Sequence, residues 1–361
     1  MDVLLCGDVG GTHTRLALFE PGRPHDPVAS DTFESREFAG FLPILSRFLD
    51  GRRGLKLRGA AFGMPGPATA GRDELWMVNL PWRIHVPQVA RKLGLQHVRF
   101  INDFAAVALA VPHLEARHLH ALGGGPAVPH EPIAVLGAGT GLGESFLVWT
   151  GTRYLAVATE CGHADFAPHT ALELRLLEYL QERERGAAPP PLGHGAGVVS
   201  PPLRGRDGGE VSVPWEAVLS GPGLTHLAEF LCDRERLEAP PALRAALEQA
   251  RDIAPAVITR LALAAPPDPL CARAVELFCT LYGAEAGNAA LRVVAAGGVY
   301  LAGGIAPQLL GPLGAPGFRQ AFEAQRGFAD FLRTVPVWVI THPNPGLLGA
   351  AIAAQEEAET A

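Results

Sequence analysis

The chain has 361 residues, enough for about two domains at roughly 150 residues each, and its 48% apolar and 19% charged residues exclude a mainly disordered or fibrous protein. A net charge of −7, with pI near 6.0, leaves no basic footprint for nucleic acid or an anionic membrane, and no run of 18 apolar residues offers a membrane span. The 42 Gly and 32 Pro make up about a fifth of the chain, against about 12% in average proteins, so many positions must be turns or close backbone approaches.

Met1-Asp2 runs directly into strand-like Val3 to Asp8, which leaves no room for a signal peptide, and a cytoplasmic protein is expected. The turn Val9-Gly10-Gly11-Thr12 then leads to a second strand, Thr14 to Phe19. Arg36 to Leu49 reads as an amphipathic helix, and Gly59 to Gly63 as a strand ending in Met64-Pro65-Gly66-Pro67, which cannot be helix interior. Val98 to Ile101 is a further strand; Asn102-Asp103 ends it and opens a helix from Phe104 to Val111. Pro112 and Gly123-Gly124-Gly125-Pro126 interrupt the pattern and mark a domain boundary. The second half repeats the opening plan: strand Pro132 to Leu136, turn Gly137 to Gly143, strand Glu144 to Trp149. Helices are expected over Ala171 to Glu184, Gly223 to Arg236, Ala242 to Ala264 and Pro269 to Val294. The Gly- and Pro-rich segment 186–214 lies between the first two as a loop or flap. Strand Gly298 to Ala302, turn Gly303-Gly304, strand Val335 to Thr341 and a terminal helix opened by Asn344-Pro345-Gly346 complete the chain.

The chemistry concentrates in a few of these junctions. Gly7-Asp8-Val9-Gly10-Gly11-Thr12 sets an acid and a hydroxyl around two glycines, where converging N–H groups can receive a phosphate and Asp8 can hold hydrated Mg²⁺; an ordinary hairpin turn uses the same residues. Gly137 to Gly143 is a second such turn, yet neither a dinucleotide fingerprint nor a P-loop occurs. Asn102-Asp103 suits a helix N-cap, and equally a general base with a hydroxyl ligand beside it. Glu160-Cys161-Gly162-His163 lacks the spacing of a helical zinc site, whereas its carboxylate and imidazole suit a polyol. Spacing alone makes Glu216 a surface acid. Five cysteines without C-x-x-C spacing (Cys6, Cys161, Cys232, Cys271, Cys279) are expected to be reduced.

Together these blocks resemble the bacterial glucokinase family, the hexokinase-like branch of the actin-like ATPase (ribonuclease H-like) fold. Asn79-Leu80-Pro81-Trp82, Gly162-His163-Ala164-Asp165-Phe166, Leu219-Ser220-Gly221-Pro222-Gly223-Leu224, Leu301-Ala302-Gly303-Gly304-Ile305 and Asn344-Pro345-Gly346-Leu347-Leu348-Gly349 extend the likeness nearly end to end. The resemblance implies a two-domain α/β protein whose halves close on one cleft: a small domain over residues 1–113, completed by a C-terminal helix at 342–361, and a large domain over 114–341 carrying the 186–214 insertion. It implies transfer of the ATP γ-phosphoryl group to the 6-hydroxyl of glucose in glycolysis, with Mg²⁺, by a cytoplasmic homodimer. Asp103 takes the place of the catalytic base, and Asn102, Glu160, His163 and Glu216, together with Gly141, those of the sugar ligands. Gly7, Asp8, Val9, Gly10, Gly11 and Thr12 correspond to phosphate and Mg²⁺ elements, as do Gly139, Thr140 and Gly141; Gly303 and Gly304 correspond to part of the adenosine site.

His13, where the family commonly has Asn, Cys161 between two sugar ligands, and the 186–214 insertion depart from the family pattern. Another hexose, or ADP or polyphosphate as donor, is an alternative specificity. A sugar-sensing regulator would be expected to carry a helix-turn-helix and a cysteine-rich loop, and an ATP-driven scaffold would have no use for the Asn102, Asp103, Glu160 and His163 set.

Overall fold

The computed structural model of the chain describes residues 1–52, 54–66, 72–77, 80–186 and 211–360. Asn79, Pro67 and most of the 186–214 insertion therefore lie outside the described residues. The elements in chain order are β1 (Asp2–Val9), β2 (His13–Phe19), β3 (Pro27–Glu34), α1 (Phe41–Leu49), β4 (Lys56–Met64), β5 (Glu74–Trp76), β6 (Arg83–His85), α2 (Val86–Leu93), β7 (Arg99–Asn102) and α3 (Asp103–Ala110). There follow β8 (Leu119–Gly123), β9 (Ile133–Ala138), β10 (Leu142–Trp149), β11 (Tyr154–Ala158), α4 (Ala171–Glu184), α5 (Gly221–Asp233), α6 (Pro241–Gln249), α7 (Ala254–Ala262) and α8 (Pro269–Val293). The last are β12 (Gly298–Ala302), α9 (Leu310–Leu313), α10 (Pro316–Glu323), α11 (Ala329–Thr334), β13 (Val337–Ile340) and α12 (Pro345–Thr360). The chain divides into two units: Met1–Leu119 with Ser145–Thr159 and Thr341–Ala361, and His120–Glu144 with Glu160–Ile340.

The first unit is built on a five-stranded sheet in the order β3-β2-β1-β4-β7. β1 pairs antiparallel with β2 and parallel with β4, and β4 parallel with β7, so the C-terminal ends of β1, β4 and β7 share one edge. β1 is a nearly continuous buried run, as a strand covered on both faces requires. β3 is mostly exposed and carries no apolar alternation; its pairing with β2, not its pattern, makes it a strand. α12 packs on α3, β4 and β1, so closely that a Cβ on Gly349 would stand 1.7 Å from the Ala106 carbonyl oxygen, and one on Gly59 2.6 Å from that of Ala354. Arg99 on β7 holds Glu356 of α12 at 2.6 Å. The stretch expected as a single helix from Arg36 starts only at Phe41: Phe38 is extended and Gly40 is the N-cap, which leaves Pro43 in the first turn, where its missing N–H costs nothing.

In the second unit β12 lies between β9 and β13, parallel to both. The central helix α8 is buried around most of its circumference; Asp268 caps it by accepting from the Cys271 N–H at 3.0 Å, and Pro269 opens it. Gly283 and Gly287 let α10 approach, since Cβ atoms there would meet the Phe318 and Phe322 carbonyl oxygens at 2.1 and 2.6 Å. The single helix expected over Ala242 to Ala264 is broken between Gln249 and Ala254; Pro255 cannot accept a helical turn before it and starts α7 instead. α4 has the expected limits, fixed by a Thr170–Glu173 capping box.

The second unit also buries two carboxylates on one arginine. Arg292 Nη1 lies 2.9 Å from Glu144 Oε2 and 2.6 Å from Glu285 Oε1, with Glu144 and Glu285 side chains 0% exposed. Asn288 donates to the other oxygen of Glu285 at 2.8 Å. Two buried negative charges against one positive are costly, and a shared proton relieves them. Burial raises both carboxyls, Glu144 to about 8 with the Glu285 charge adding to it, so the pair shares one proton.

All five cysteines are free. Among the described residues no helix is long and apolar enough to cross a membrane, and no cluster of three or more His, Cys, Asp or Glu residues could hold a metal by side chains alone.

Candidate functional site

In the first unit, Asp8 stands at the end of β1, opposite Gly63 on β4 and Arg15 on β2. Its carboxylate is partly buried, and Arg15 Nη1 approaches it at only 3.4 Å. Burial pushes the Asp8 carboxyl above its ordinary range, and the Arg15 charge opposes this incompletely. Gly346, in the first turn of α12, backs the same carboxylate: a Cβ there would lie 3.7 Å from Asp8 Cγ. A desolvated carboxylate with one long ion-pair contact suits a hydrated divalent cation, which takes one or two carboxylates and keeps its waters. The turn Gly10–Thr12 is tight, with the Gly10 N–H donating to the His13 carbonyl at 2.9 Å, and Ser35 braces it by an Oγ–H bond to the Gly10 carbonyl at 2.7 Å. His13, the departure from the family pattern, turns outward and pairs with Glu34 at 2.8 Å, so Ser35 holds the turn.

Two strands away on the same edge are Asn102 and Asp103, Asn102 being the register partner of Met64. Asn102 is buried and caps α3, its Oδ1 accepting from the Phe104 and Ala105 N–H groups at 2.9 and 3.0 Å, while its Nδ2 donates to the Gly66 carbonyl at 3.3 Å. Asp103 is the first residue of α3, and its Oδ1 accepts from the Phe104 N–H at 2.8 Å. Gly63 lies beside α3, where an added Cβ would stand 3.2 Å from Ala106 Cβ and in ordinary contact, at 3.6 Å, with Asp103 Cα.

In the second unit, the Gly137 to Gly143 turn joins β9 to β10. The Gly139 N–H donates to the Gly141 carbonyl at 2.8 Å, and the Gly221 N–H at the start of α5 donates to the Gly139 carbonyl at 2.8 Å. Gly303 lies against the base of the turn: its φ of +81° and a would-be Cβ 2.3 Å from the Ala138 carbonyl oxygen admit only glycine. Gly139, Thr140, Gly141, Gly303 and Gly304 are thus one neighbourhood.

Glu216 joins it. The Leu142 N–H donates to Glu216 Oε2 at 3.0 Å, and a Cβ on Gly141 would come within 2.3 Å of the same oxygen. Glu160 and His163 flank the 3-10 turn Cys161–His163, with His163 Nε2 3.9 Å from Glu160 Oε2 and both side chains largely exposed. This turn packs on the one carrying Glu216: the Trp215 N–H donates to the Ala164 carbonyl at 2.9 Å, the Phe166 N–H to the Val213 carbonyl at 2.7 Å, and Phe166 meets Trp215 edge to face. Gly162 also lets this turn lie against the start of β10, as a Cβ there would stand 2.0 Å from the Leu142 carbonyl oxygen. The structure therefore gathers Glu160, His163, Glu216 and Gly141 in the second unit, and Asp8, Asn102 and Asp103 on one sheet edge of the first. Arg15 and Ser35 escape the sequence reading. Arg15 had a signal, for a hairpin closing on Gly10-Gly11 sets it directly opposite Asp8; Ser35 had none.

Acids at strand ends, two glycine turns and a carboxylate–imidazole set fit the equipment of a sugar kinase, here on a two-domain α/β fold. The Glucokinase family model matches residues 5–199 and 205–357. Glucokinase from Yersinia pestis is 37% identical over 348 residues, covering 96% of this chain and 94% of that protein. Glucokinase from Nostoc punctiforme is 33% identical over 364 aligned positions, covering 98% and 99%. The crystal structure of glucokinase from an Antarctic psychrotroph superposes with a TM-score of 0.78 at 28% identity, covering 99% of both chains. The chain belongs to the glucokinase family, phosphotransferases that act on a sugar hydroxyl.

Proposed function

We propose that the chain transfers the γ-phosphoryl group of ATP to the 6-hydroxyl of glucose, with Asp103 as general base and Asn102, Glu160, His163 and Glu216 as hydroxyl ligands. The observation that carries this reading is the gathering of Glu160, His163 and Glu216, separated by up to 56 positions, on two short turns packed against the β9–β10 turn of Gly139 to Gly141. Asp103 accepts the proton of the 6-hydroxyl as its oxygen attacks the γ-phosphorus; the bond to the bridging oxygen breaks and ADP leaves. Glu160 and Glu216 accept from sugar hydroxyls and His163 complements them, fixing the ring so that the 6-oxygen is the one in line. The N–H groups of Gly11 and Thr12, and those of Thr140 and Gly141, receive phosphate oxygens, while the Gly10 and Gly139 N–H groups close the two turns. Asp8 would hold Mg²⁺ through water, and the ion, when bound, neutralises charge on the phosphates. We read the fold as the actin-like ATPase type, and the chain as a cytoplasmic homodimer.

The test is Asp103→Asn, which keeps the shape and removes the base. kcat should fall by about 10²- to 10⁴-fold while glucose affinity, measured by calorimetry, stays within about tenfold. Turnover close to that of the unmodified chain would refute the assignment, and a panel of hexoses and phosphoryl donors in the same coupled assay fixes the specificity.

A further inference from the structure

Glu216 hangs from a short 3-10 turn, Trp215–Ala217, ahead of α5. Two α5 side chains hold the backbone of that turn. Ser220, the N-cap of α5, donates its hydroxyl to the Glu216 carbonyl at 2.7 Å while accepting from the Gly223 N–H at 3.0 Å. His226, in the second turn of α5, sets its ring Nδ1 2.9 Å from the Ala217 carbonyl oxygen. A carbonyl only accepts, so Nδ1 carries the hydrogen. Burial, and after it the Arg183 charge, holds the imidazole below its ordinary pKa, so this is the neutral Nδ1–H tautomer at pH 7.

His226 is itself held in an ordered setting. Glu229, one turn further along α5 and 1% exposed, takes Arg183 of α4 on one oxygen and Arg251 at 2.7 Å on the other. The Arg183 and Arg251 guanidiniums and the Glu229 carboxylate all act electrostatically on the His226 ring. Ser220 already caps α5, so the helix has no need of His226. What the imidazole secures is the residue next to Glu216, and through it the carboxylate seated on the Leu142 N–H.

We propose that His226 is a positioning residue for the sugar: by holding the Ala217 carbonyl it fixes where the Glu216 carboxylate meets its hydroxyl. This rests on reading Glu216 as a hydroxyl ligand. His226→Leu removes the donor, whereas His226→Asn presents an amide N–H close to the place of Nδ1–H. In the intact chain, His226→Leu should raise glucose KM about tenfold, with kcat and ATP KM within about twofold, and His226→Asn should return glucose KM to within about threefold of the original. Should the leucine variant not fold, His226→Gln, whose N–H stands one bond too far along, carries the same expectation. A cooperatively melting His226→Leu with unchanged glucose KM, an equal rise in ATP KM, or no rescue by asparagine would overturn the proposal. Glu216→Gln separates the two readings: if it leaves glucose KM unchanged, the hydroxyl-ligand reading fails, and if it raises glucose KM while His226→Leu does not, only the positioning role fails.

Discussion

The Glu144–Glu285 pair makes the second unit's stability depend on pH in a defined direction. The Glu144 carboxyl is raised from its ordinary 4.5 to about 8 in the folded chain. Its proton therefore stabilises the fold fully below the unfolded value, and this contribution is lost as pH rises through the folded value, between about 4.5 and 8. Within that window one extra proton bound by the native state gives a slope of about 1.4 kcal/mol per pH unit. The second unit has about 200 residues, so at about 2.1 cal/mol/K per residue its unfolding entropy is about 0.4 kcal/mol/K, and the slope becomes about 3 °C per pH unit. Glu144→Gln copies the protonated acid: its amide donates to Glu285 and its carbonyl still accepts from Arg292. Melting followed by circular dichroism or calorimetry from about pH 5 to pH 8.5 should show the variant's Tm falling less steeply than that of the unmodified chain by about this amount. Parallel curves would show that no proton is shared.

Gly349→Ala places a methyl group against the Ala106 carbonyl at 1.7 Å, where only backbone can yield; a loss of about 3 kcal/mol or more is expected in denaturant titrations. Gly141→Ala pushes on the carboxylate end of the Glu216 side chain at 2.3 Å, so the chain should fold with near-native Tm and show glucose KM raised about three- to tenfold, measured by coupled assay. Asp8→Asn removes the one charge expected to hold hydrated Mg²⁺, and the concentration of Mg²⁺ needed for half-maximal rate should rise about tenfold or more; an unchanged Mg²⁺ titration would remove Asp8 from that role.

What the sequence makes legible depends on where the determining contacts lie. α4 and α8 can be read to within a residue of their ends because Thr170 with Glu173, and Asp268 with Pro269, are local signals. β3 cannot, since its polar residues become a strand only by pairing with β2. α6 and α7 merge in a periodicity reading because Pro255 lies inside a continuous apolar pattern. In the candidate site, Asn102 and Asp103 announce themselves at a strand-to-helix junction, and the glycine turns by composition. Glu216 is legible only through family resemblance, because what lifts it from an ordinary surface acid is its bond to the Leu142 N–H, 74 positions away. His226 is illegible for the same reason at shorter range: nothing in a helical stretch of Leu, His and Ala says that one ring reaches back past the helix start.

α12 belongs to the first unit yet is made only after the whole of the second. The five strands of that unit's main sheet are complete by Asn102, and more than 200 residues must follow before Pro345 emerges, roughly ten to fifty seconds at ordinary synthesis rates. During that interval the faces of β1, β4 and α3 that α12 covers stay open, Gly59 and Ala106 among them. The nascent chain thus carries an uncovered apolar sheet face through most of its synthesis, a natural client surface for chaperones, and a chain cut short before Pro345 would be expected to aggregate rather than fold as a smaller version of itself.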